Sequence, residues 1–129
     1  MKFNNRTIEK TLVLLFSMIL VFHFLIVFGI IPYKNVWAGR LKSREEMLRF
    51  ESFSIILNAI FIVVVLVKAN LINIKVPKKV INVLLWIMAI VFALNTIGNL
   101  FAIGSLEKYI ATPVTFLLSI FCFILARNQ

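Results

Sequence analysis

Four apolar runs alternate with short polar segments along the chain. The predicted spans cover about residues 11–31, 48–68, 80–101 and 110–126. At ~1.5 Å of rise per residue, a helix of roughly 20 residues crosses a ~30 Å hydrocarbon core. Pro32 and Tyr33 are expected to close the first span, proline by ending the helix and tyrosine by suiting the interface. The strictly apolar part of the second run, Phe53 to Val67, is too short to cross. Its helix therefore has to draw residues 48–52, Glu51 included, into or near the membrane. Ser43 is placed to cap that helix from Arg44, with Glu45 and Glu46 in its positive first turn. No Gly or Pro interrupts the stretch from Arg44 to Ala69. Pro113 is tolerated in the first turn of the fourth span.

The fold expected from this pattern is all-α: a four-transmembrane-helix antiparallel bundle in a single membrane domain, 1–129, with the second helix extended into loop 1. The basic N-terminus followed by an apolar run also describes a signal peptide, but the run exceeds the usual ~7–15 residues and reads as a retained anchor. The two halves share no spaced motif, so an inverted-repeat transporter gains no support.

Composition agrees. The chain is 62% hydrophobic and 15% charged, with a mean hydropathy of +1.03, well above a soluble domain. The net charge of +9 comes from the loops and ends. Anionic headgroups and the positive-inside bias account for it, and no arginine-rich, aromatic-interleaved stretch suggests nucleic acid. The N-terminus, loop 2 and C-terminus hold eight Lys and Arg residues against six in loops 1 and 3, which favours cytoplasmic termini, in a bacterial plasma membrane. The single cysteine, Cys122, excludes an intrachain disulfide and a cysteine-based zinc site, and reads as a packing residue. With one histidine as well, no metal or cofactor site is expected within one chain.

Polar residues inside the runs carry the functional question. If the spans alternate in direction, His23, Glu51, Asn58, Asn95, Asn99, Thr112 and Thr115 fall in the half nearest loops 1 and 3. The opposite half reads as nearly pure hydrocarbon. Polar side chains in lipid need partners, so this clustering implies a polar pocket or a hydrogen-bonded clasp. Glu51, Ser54 and Asn58 share one helix face, and Arg44 extends it toward water. Glu51 reads as an interfacial carboxylate paired with Arg40, Arg44, Arg49 or Lys108, or as a ligand or proton site. His23 reads as a hydrogen-bond partner of Asn58, Asn95 or Asn99, or as an acid–base partner of Glu51. Asn95 and Asn99 stack four residues apart beside Gly98. Thr112, Thr115, Ser119, Cys122 and Ala126 form a small-residue stripe suited to close helix packing. Trp37, Arg40 and Arg44 are candidates for a lid, or for interface anchors.

No motif names a reaction. The leading expectation is a small-molecule or lipid binding or transport protein with Glu51 at its polar site. An equal alternative is a non-catalytic scaffold or interaction subunit, and a third is a lipid- or isoprenoid-modifying enzyme using His23 and Glu51. The partners expected are membrane lipids, a second copy or another membrane protein, and a small-molecule ligand. In size and span count the chain resembles the small multidrug-resistance transporters. They depend on a glutamate in the first span, however, and the run from Thr11 to Ile31 has no acid, so no family is assigned.

Overall fold

The computed structural model describes residues 5–33, 41–101 and 107–128. Four helices make up the fold: α1 (Asn5–Val27), α2 (Arg44–Lys68), α3 (Lys78–Leu100) and α4 (Thr112–Arg127), the last entered through a π-helical turn at Glu107–Ala111. Each of the four helical segments is long and apolar enough to cross a membrane.

Local chemistry explains where the helices stop. α1 is already helical at Asn5, ahead of the apolar run: residues 5–10 contain no Gly or Pro, and Ile8 continues the inward line of Leu12 and Phe16. It ends at Val27, short of the expected boundary, and Gly29 rather than Pro32 closes it. Gly29 sits at φ +81°, where its N–H donates to Ile26 O at 3.0 Å and the next N–H, of Ile30, donates to Leu25 O at 2.9 Å. That pair of bonds is a Schellman cap, which needs a left-handed residue.

α2 starts one residue after Ser43, whose Oγ accepts from the Glu46 N–H at 3.2 Å. Its far end repeats the Schellman arrangement with Asn70 at φ 60°. There the Asn70 N–H donates to Val67 O at 3.1 Å and the Leu71 N–H to Leu66 O at 3.0 Å. Asparagine is one of the few residues other than glycine that tolerates this backbone.

The core is built by one stripe from each helix. Ile8, Leu12 and Phe16 of α1 meet Phe61, Val64 and Val65 of α2, while Leu85, Met88 and Phe92 of α3 meet Leu118, Cys122 and Leu125 of α4. At its centre three phenylalanines from three helices touch. The ring centroids are 5.7 Å apart for Phe16 and Phe61, 5.5 Å for Phe16 and Phe92, and 5.4 Å for Phe61 and Phe92. Such tilted aromatic contacts add roughly 0.5–1.5 kcal/mol each beyond their buried area.

α1 packs chiefly on α2, and α3 on α4. The small-residue stripe of α4 is what lets α3 come close. Ser119 Oγ donates to the Ala89 carbonyl of α3 at 2.7 Å, and Cys122 is fully buried below it. Much of the outward helix surface is hydrocarbon, including Leu14, Met18, Phe53, Ile56, Ile90 and Phe116, all exposed.

Candidate functional site

Late α1 and early α2 bring the only histidine onto a carboxylate. His23 Nδ1 and Glu51 Oε2 lie 2.5 Å apart and share a hydrogen bond. Glu51 has no exposed surface, and the His23 side chain is 14% exposed. The core-facing line of α2, Met47–Glu51–Ser54–Asn58–Phe61, fixes the carboxylate inward, since these residues recur every three or four positions. Ser54 and Asn58 are also buried. The Asn58 amide donates through Nδ2 to Ser54 O at 2.7 Å, while its Oδ1 is buried and has no hydrogen-bond partner among the described residues. A buried acceptor of that kind costs about 1–3 kcal/mol if left unsatisfied.

A second polar set joins α3 and α4. The hydroxyl oxygens of Thr96 and Thr115 lie 3.0 Å apart. Asn99 donates through Nδ2 to Thr115 Oγ1 at 3.3 Å. Thr112 is half-buried beside them. Thr96, flanked by the more conspicuous amides Asn95 and Asn99, belongs to this set. Its sequence signal was its position on the inward face of α3, four residues after Phe92 and three before Asn99.

The described hydrogen bonds thus leave the candidates in separate sets: His23 with Glu51, Asn58 with Ser54 on the same buried face of α2, and Thr96 and Asn99 with Thr115. Asn95 is in none of them. It is exposed, on the outer surface of α3 between Leu94 and Gly98. Because α3 turns about 100° per residue, Asn95 and Thr96 cannot both face the core. Arg44 is exposed at the start of α2. Trp37 and Arg40 lie outside the described residues.

The opposite end of the molecule is not purely hydrocarbon. Lys68, at the last turn of α2, donates through Nζ to Asn82 Oδ1 of α3 at 2.6 Å and to the carbonyl of Asn128 beyond α4 at 2.7 Å. Asn128 donates through Nδ2 to Asn5 Oδ1 of α1 at 2.8 Å. Arg6 Nη1 donates to Ala69 O at 3.3 Å and lies 3.5 Å from Glu9 Oε2. Glu9 is itself buried. This clasp ties all four helices together. Asn82 was its legible member, an amide in the first turns of an apolar run.

Two grooves are described, and both open at this end, along α3. Among the described residues, no group of three or more His, Cys, Asp or Glu side chains could hold a metal ion.

Comparison with known proteins returns no match to a family model, a curated protein or a solved structure. The functional reading therefore rests on the geometry alone.

Proposed function

We propose that the chain is an integral membrane protein whose four helices cross the bilayer in alternating directions, with both termini cytoplasmic, and that it binds a small cationic or hydrogen-bonding molecule in the half nearest loop 1. The membrane reading is supported by the exposed hydrocarbon on every helix, far more than a water-facing surface carries. The alternating directions are supported by the bonds that link late α1 to early α2 and late α3 to early α4.

The binding reading is carried by one observation: Glu51 is fully buried against His23 inside apolar helices. An ionisable residue at such depth is costly and marks a functional position by default. Glu51 would anchor the cationic part of the ligand. The spare Asn58 Oδ1, two turns deeper on the same helix face, would accept a hydrogen bond from it.

The test uses a lipophilic cation, tetraphenylphosphonium, in equilibrium dialysis against the purified protein. Wild type should bind it near one per chain. Glu51→Gln should lose binding at least tenfold while its circular dichroism remains helical. Equal binding by wild type and variant, or none by either, would remove this reading.

A scaffold role is the second reading, and particular contacts favour it. Thr96, Asn99 and Thr115 satisfy one another, and Asn95 turns its amide outward beside exposed Leu94 and Ile97, where a partner helix would meet it. On that reading Asn95→Ala weakens a complex captured by cross-linking in the native membrane and leaves cation binding unchanged.

A further inference from the structure

We propose that the groove at the loop 2 end is a binding site for the headgroup of an anionic phospholipid. The groove holds about 410 Å³ and lies where α2, α3 and α4 converge. Its polar rim is Lys68, Lys78, Lys79 and Asn82, and its wall is Val83, Trp86 and Ala126. None of these lining residues is acidic. Three ammonium groups around one opening, with no carboxylate on the rim, call for an anion.

Lys68 is the organising group. Most surface lysines wander, but this one is held by Asn82 Oδ1 at 2.6 Å and by Asn128 O at 2.7 Å. An ammonium has three N–H donors, so one remains for a ligand oxygen. Lys78 and Lys79 are exposed and form no hydrogen bond among the described residues, so their charge is available across the opening. Below the cations the character changes abruptly. Trp86 packs edge-on against Phe123 with centroids 5.1 Å apart, and the Arg127 guanidinium lies over the Phe123 ring, 5.6 Å from its centroid. An adjoining groove of about 240 Å³ continues from Lys79 along Val80, Val83 and Leu84. An anion with a hydrocarbon tail matches this sequence of surfaces along α3: phosphate at the lysines, glycerol at Asn82, acyl chain along Val83, Leu84 and Trp86. A free phosphate would use only the first of them.

This inference rests on the membrane reading above but not on the His23–Glu51 site. The two are separable because flotation of the protein with vesicles tests membrane association first. The test of the groove is native mass spectrometry of the purified protein, titrated with phosphatidylglycerol or with phosphatidylcholine of the same acyl chains. Wild type should retain one phosphatidylglycerol at least tenfold more strongly than phosphatidylcholine. Each lysine near an anionic headgroup is worth about fivefold in affinity, so Lys78→Gln with Lys79→Gln should lower retention by tenfold or more. These two side chains take no part in the clasp, so the double variant keeps the fold even if Lys68→Met does not. Lys42→Gln with Lys108→Gln, two exposed lysines at the opposite end of the helices, removes the same charge and should leave retention unchanged. Equal retention of the two lipids, no effect of the Lys78, Lys79 double variant, or an equal loss in the Lys42, Lys108 double variant would overturn the site. Displacement of the lipid by soluble glycerol phosphate at comparable concentration would overturn the lipid as its occupant.

Discussion

His23 and Glu51 are 28 residues apart in the chain and 2.5 Å apart in space, one on α1 and one on α2, and their hydrogen bond is the only described contact between an imidazole and a carboxylate. It spans the helix pair where Glu51 has no exposed surface and the His23 side chain only 14%, so water is a poor alternative partner for either. Removing either partner leaves the other buried and short of a hydrogen bond, at roughly 1–3 kcal/mol. His23→Ala and Glu51→Ala should each destabilise the protein by that much. The double variant should lose about 1 kcal/mol less than the sum. Unfolding in mixed detergent measures all four corners of the cycle. Additivity within ~0.5 kcal/mol would mean the contact contributes nothing of its own.

The two Schellman caps lead to opposite expectations for similar changes. Gly29 has φ +81°, and a Cβ there would meet no atom within 4 Å. Gly29→Ala therefore carries only the backbone penalty of a left-handed alanine, about 1–2 kcal/mol. Asn70 already bears a side chain in that conformation, so Asn70→Gly should be neutral or stabilising by up to ~1 kcal/mol. Unfolding midpoints moving in the reverse order would show that these turns do not close α1 and α2 as described.

Close approach of α3 and α4 depends on Ser119. Ser119→Ala deletes the bond to Ala89 O and should cost about 0.6–1.7 kcal/mol, the range for hydrogen bonds between helices in membranes. Ser119→Leu adds volume at the α3–α4 contact and should cost about 1–3 kcal/mol. If leucine is tolerated better than alanine in the same unfolding assay, the stripe is not the packing surface.

Cys122 gives a test that needs no mutation. It is 0% exposed and is the one cysteine in the chain. Maleimide labelling followed by intact mass should be slow in the folded protein, with complete reaction in denaturing detergent. Rapid labelling of the native form would place α4 with its stripe outward.

Several features are legible in the sequence. The existence of four helices follows from run length. Ser43 announces the start of α2, because a hydroxyl followed three residues later by a glutamate is a local signal. The end of α1 was misread at Pro32 because a proline is a conspicuous helix stop, while the Gly29 cap depends on a backbone angle that sequence only hints at. The N-terminal extension of α1 was missed because charge, rather than the i, i+4 line of Ile8, Leu12 and Phe16, set the boundary.

The candidate site divides in the same way. Depth was readable, since counting along a helix puts His23 and Glu51 in the same half. Direction was not. Asn95 and Thr96 are neighbours in the sequence, yet one is exposed and the other buried against Thr115. The Lys68 clasp was hidden for a related reason: its lysine reads as loop 2, while its partners come from the start of α3, the end of α4 and the start of α1.

Runs of apolar residues and their punctuation dictate that this chain makes four long helices, because length, capping and breakers act within a few residues of where they stand. Which polar groups meet is another matter. α2 carries polar residues on both sides, Glu51, Ser54 and Asn58 buried and Arg49 and Ser52 exposed, so hydrophobicity alone does not declare an inward face. Only packing against the neighbouring helices sets the rotation that turns Glu51 onto His23, Lys68 onto Asn82, and Asn95 away from both.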